Sequence, residues 1–142
     1  MIKVIIGPKG SGKTRKLVDD LNAHAQEENT NVVCIERGAR LDSFVNYRIR
    51  LVDISEYPIA NYDQLLSFIA GLCAKDYDIS DIYIDSIRKV AQDESDEALA
   101  DFLAKLEPFA ARHEITCYVI LSADPDKLPE GITRYQAASN PA

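Results

Sequence analysis

Residues 7–14 read Gly7-Pro8-Lys9-Gly10-Ser11-Gly12-Lys13-Thr14, between the apolar run Val4-Ile5-Ile6 and a segment with helical spacing. Three glycines, a lysine and a hydroxyl at these intervals leave few folds open. Without a Cβ, Gly7, Gly10 and Gly12 let the backbone turn its N–H groups inward around an anion. A helix starting near Gly12 adds the positive end of its dipole. Lys13 sets an ammonium across the same anion, and Thr14 offers a hydroxyl to a hard cation such as Mg²⁺. A strand, then G-x-x-x-x-G-K-[ST], then a helix is the arrangement that cradles a polyphosphate. A glycine turn with a chance lysine requires neither the strand before nor the helix after. Pro8, Lys9 and Ser11 complete the cradle, and Lys9 either adds charge near the terminal phosphate or points into solvent.

The chain has 142 residues, 46% of them hydrophobic, enough for one domain with a sizeable core. Its formal net charge of -7 disfavours a large nucleic-acid face, which needs clustered Lys and Arg. No apolar run reaches bilayer-spanning length. The strand beginning at Ile2 leaves no room for a signal peptide, so the expected location is cytoplasmic. Cys34, Cys73 and Cys117 form no C-x-x-C pair and fall in apolar stretches, as buried thiols do.

Apolar runs predict strands at Ile2–Ile6, Asn31–Glu36, Ile49–Asp53, Asp81–Asp85 and Thr116–Ser122. Helical spacing predicts Lys13–Glu27, a second helix from an Asn61 cap to Lys75, and a third from about Ser95, which Pro108 is expected to kink or end. Alternation of this kind implies an α/β three-layer sandwich, a mostly parallel sheet with helices on both faces. Residues 124–142 hold three prolines and a glycine and read as a largely irregular extension of the single domain.

Ligands of such sheets bind beyond the carboxyl ends of the strands, which directs attention to Gly7, Glu36, Asp53, Asp85 and Ser122. A Mg²⁺-side carboxylate is expected at one of these ends. Asp85 is favoured over Asp53, because Ser86-Ile87 leaves the strand whereas Ile54 prolongs the apolar run. Arg37, Arg40, Arg48 and Arg50 form a loose basic cluster whose members either touch phosphates or pair with acidic neighbours. His24 and His113 fall late in predicted helices, where a dipole contact accounts for them.

Together Gly7–Thr14, Val33-Cys34-Ile35-Glu36-Arg37-Gly38 and Ile82-Tyr83-Ile84-Asp85-Ser86-Ile87 resemble the RecA-type ATPases of the P-loop superfamily. The resemblance covers about residues 2–122 and implies a P-loop NTPase fold with RecA-like strand order. In that order the strand Thr116–Ser122 lies between the strands that carry Gly7 and Asp85. It implies Lys13 and Glu36 as catalytic residues, with Glu36 orienting the attacking water. It also implies Thr14 and Asp85 on Mg²⁺, and Ser122 as a sensor of the γ-phosphate. On the residues alone, Glu36 is equally a solvated strand-end carboxylate and Ser122 a plain strand terminus. The family's polar sensor pair is replaced here by Ser122-Ala123-Asp124, and its DNA-binding loops have no counterpart.

The implied function is Mg²⁺-dependent ATP binding with slow hydrolysis to ADP and phosphate. One alternative is a small nucleoside or nucleotide kinase, since the loop also resembles that of thymidine kinases. Those enzymes carry an Asp-Glu pair where Asp85-Ser86 stands, and a zinc-bearing lid for which this chain lacks the cysteines. The other is a non-catalytic nucleotide switch or assembly module, read by a protein partner or by a second copy of the chain.

Overall fold

The apolar runs become five neighbouring strands, all parallel. They are β1 (Ile2–Gly7), β2 (Val32–Glu36), β3 (Arg50–Asp53), β4 (Asp81–Ile84) and β5 (Thr116–Ser122). The structure is a computed structural model and describes residues 1–137. The strand order is β1-β5-β4-β2-β3, so β5 lies between β1 and β4. Parallel sheets need both faces covered, which is why β2 is buried at every position.

Side chains alternate between two cores with the two-residue period of a strand. Val33, Ile35, Ile82 and Ile84 face the larger core, under α2 (Tyr62–Lys75) and, later in the chain, α4 (Asp96–His113). Val32, Cys34 and Tyr83 face the smaller core, covered by α1 (Lys13–Ala25) and by Leu41 and Ile49 of the β2–β3 connection. Leu17 and Leu21 anchor α1 there, each burial contributing about 1.5–3 kcal/mol. All three cysteines are buried, and burial raises the Cys117 thiol to about 12.

Helix ends follow local chemistry. Asn61 caps α2 by accepting the Gln64 N–H at 2.8 Å. Ser95 caps α4 by accepting the Ala98 N–H at 3.1 Å, and acids fill that helix's first turn. Pro108 does not end α4, which runs on to His113. Buried Leu106 and Ala110 on either side hold the helix to the core across the missing N–H. Asp85 itself lies just outside β4, and a short helix, α3 (Ile87–Ala91), follows it where the sequence reading has a loop. Five residues are too few to show a helical period.

After Asp124 the chain is more ordered than the expected irregular extension. A 3₁₀ turn at Pro125–Lys127 leads to α5 (Glu130–Thr133), whose Ile132 is fully buried. Val4 N–H then donates to Tyr135 O, and Ala137 N–H to Val4 O, each at 2.9 Å. These bonds cover the open edge of β1, which otherwise presents unpaired backbone groups. The rest of the extension, residues 138–142, lies outside the described residues.

Candidate functional site

The carboxyl ends of β1, β5 and β4 and the start of α1 converge on one cleft of about 520 Å³. Its glycine-rich wall is shaped by sterics. A Cβ on Gly7 would sit 2.9 Å from Ser11 Oγ and 3.3 Å from Lys13 Cδ. Gly10 and Gly12 hold φ of +82° and +85°, the left-handed region that favours glycine. Gly12 is the N-cap of α1, and no side chain caps that end. The first N–H groups of a 13-residue helix therefore face outward without a side-chain acceptor. Lys13 folds back over its own loop, its Nζ donating to Pro8 O at 2.8 Å. Burial lowers its pKa, and the charge of Asp85 works against that.

Opposite this wall stands Asp85, 1% exposed. Its Oδ2 accepts from Arg40 Nη2 at 3.2 Å, while Oδ1 has no protein partner. Desolvation raises the Asp85 pKa, against the attraction of Arg40, Lys89 and Lys13. The next residue, Ser86, has φ +57°, a left-handed conformation that costs a non-glycine residue about 1 kcal/mol or more. Ser122 also lines the cleft and is paired with Gly7 in the β1–β5 register.

Glu36 is placed differently. It is fully buried at the end of β2, and its Oε2 accepts the Leu41 N–H at 3.2 Å. Its Oε1 has no partner, and desolvation raises its pKa. It is not among the side chains that line the cleft. The structure thus brings Lys9, Gly10, Gly12, Lys13, Thr14, Asp85 and Ser122 together, and leaves Glu36 on the neighbouring strand β2, off the cleft lining and bonded to the loop that carries Arg40.

The basic cluster divides. Arg40 enters the cleft. Arg37 instead donates to the carbonyls of Lys89, Ile59 and Val90, pinning the end of α3. Arg50 pairs with Asp76 at 2.8 Å, away from the cleft. Asp53 accepts from Gly38 N–H at 2.7 Å and caps the 3₁₀ turn at Ile54–Glu56, so it is committed to backbone.

The far wall is lined by Arg88 and Lys89, weaker candidates on the sequence than the cluster from Arg37 to Arg50, and by Glu94, which sequence reasoning missed. Arg88 is bonded to Asp96, and its Nε is buried without a partner. The only signal was the basic pair just after Asp85-Ser86-Ile87. In all, five cationic side chains (Lys9, Lys13, Arg40, Arg88, Lys89) and two carboxylates line this cleft, in a chain of net charge -7. Among the described residues no group of three His, Cys, Asp or Glu is set to hold a metal. Thr14 and the free Oδ1 of Asp85 fit a Mg²⁺ that keeps most of its waters and arrives on phosphates. No family model matches the chain, and no curated protein matches it significantly.

Proposed function

We propose that this cleft binds magnesium nucleoside triphosphate, ATP in the first instance, on a P-loop NTPase fold of RecA-like strand order. The observation that carries the reading is the convergence of five cations and an uncapped helix start in one cleft of an acidic chain. Such a concentration of positive charge and N–H donors suits a polyanion. Supporting it, β5 lies between β1 and β4, with Ser122 beside Gly7, and Thr14 and Asp85 line the same cleft.

In this reading the N–H groups of the loop hold the β-phosphate, and Lys13 leaves Pro8 O to span the β- and γ-phosphates. Thr14 and Asp85 would hold the Mg²⁺ that the nucleotide carries, and that ion would supply charge neutralisation at the phosphate oxygens. Catalysis is positioning and charge stabilisation for water attacking the γ-phosphorus in line, with ADP leaving.

Glu36 sets the expected rate. Its carboxylate accepts a loop N–H and does not line the cleft, so hydrolysis without rearrangement is slow. That same placement favours a second reading, a nucleotide-dependent switch in which binding, more than turnover, is the output. Calorimetric titration with Mg²⁺ plus ATP, GTP or ADP, on the wild type and on Lys13→Ala, tests the binding claim. Binding to the wild type with at least about 100-fold loss in Lys13→Ala is expected, about 2.7 kcal/mol. Equal affinities for the two proteins would refute it. Phosphate release by Glu36→Gln separates the two readings: a drop supports the hydrolase, no change the switch.

A further inference from the structure

Asp85 and Arg40 make an unequal pair. The carboxylate is 1% exposed, whereas the Arg40 side chain is 52% exposed. Among the described residues, Arg40 is the one side chain within salt-bridge distance of Asp85. Lys13 and Lys89 act on its charge from farther off. The backbone on either side of Arg40 is tied down: Gly38 N–H to Asp53, Leu41 N–H to Glu36, and the Arg37 guanidinium to three carbonyls. The Arg40 side chain lines the cleft, is half exposed, and is held by its bond to Asp85. The Glu36 carboxylate, accepting the Leu41 N–H, helps to hold the backbone beside Arg40.

A guanidinium on Oδ2 and a divalent cation on the free Oδ1 of the same buried carboxylate repel at close range in a poorly screened site, so each weakens the other's hold. We propose that Arg40 is a resident counter-ion of Asp85 that magnesium triphosphate displaces, the guanidinium passing from the carboxylate to the terminal phosphate. This deepens the proposed function and rests on it. The chain then rejects free divalent metal, accepts metal and triphosphate together, and prefers triphosphate to diphosphate, which offers the arginine no γ-phosphate.

Two measurements on wild type, Arg40→Gln and Arg40→Lys test it. The first is Mn²⁺ binding to nucleotide-free protein, read from the electron spin resonance of free Mn²⁺. The second is affinity for fluorescent ATP and ADP analogues with Mg²⁺. Arg40→Gln is expected to bind Mn²⁺ about tenfold more tightly and to lose about tenfold of the preference for triphosphate, an ordinary coupling between two ligands. Arg40→Lys, which keeps the charge, should fall between and guards against a glutamine variant that fails to fold. Unchanged Mn²⁺ affinity, or an unchanged triphosphate preference, in a folded variant overturns the inference. Wild-type protein that binds neither analogue overturns the proposed function itself, a result the Mn²⁺ measurement does not share.

Discussion

The two ends of the sheet treat polar side chains in opposite ways. Toward the amino end, Tyr83 donates to Asp20 Oδ2 at 3.1 Å, and the Nδ1 of His24 bonds the same phenol oxygen. His24 also lies 3.9 Å from Asp81, and Tyr83 stacks on Tyr118 with centroids 4.1 Å apart. No buried side-chain atom of that cluster is left without a partner. At the carboxyl end, Glu36 Oε1, Asp85 Oδ1 and Arg88 Nε are buried without partners; they are the three such side-chain atoms among the described residues. Leaving a buried polar atom unpaired costs about 1–3 kcal/mol, more for a charged group. A satisfied network belongs to the fold, whereas an unsatisfied one is open to water or to a ligand.

Substitutions can break this contrast. The largest effect is expected for Asp85→Asn, which should lower Mg²⁺-dependent ATP affinity by at least about tenfold while raising the melting temperature of the free protein by a few degrees, since it removes a costly buried charge. Calorimetry and thermal unfolding read the two halves. Tyr83→Phe should do the reverse: about 1–2 kcal/mol of stability lost in denaturant titration, because Asp20 and His24 lose their partner, with ATP affinity unchanged.

A pH series in chelator sharpens the comparison. The folded-state pKa values of Asp85 and Glu36 lie above their ordinary values of 3.8 and 4.5. The folded state therefore holds protons that the unfolded chain has released. The contribution of these two groups is fully present below about pH 3.8–4.5 and is lost as pH rises through the raised values. The stability gap between Asp85→Asn and wild type should widen from acid toward neutral pH. A constant gap would show that Asp85 has a normal folded pKa. The smallest effect is expected for Ser122→Ala, about a threefold loss of preference for ATP over ADP with no change in unfolding.

Much of the architecture was legible because periodicity reports burial. The runs ending in Ile6, Glu36 and Ser122 are apolar on both faces, as a parallel strand covered by helices on either side requires, and all three are strands. The glycine-rich loop was legible because its conformation is written in residue types, and Gly10 and Gly12 indeed take positive φ. Side-chain direction was not. Glu36 and Asp85 both end apolar strands, yet one bonds loop backbone and the other lines the cleft. Gly38, at φ +95°, turns the chain so that Arg40 returns over the sheet end, and nothing local in the sequence distinguishes Arg40 from Arg37 or Arg48. The Lys89 wall of the cleft depends on α3, too short to betray itself.

A crystal structure with a magnesium complex of a non-hydrolysable ATP analogue tests the central claim most directly. The polyphosphate is expected on the N–H groups of residues 10–14, with Lys13 Nζ moved from Pro8 O onto the phosphates. An occupied nucleotide elsewhere, with this loop empty and Lys13 still bonded to Pro8, would contradict it.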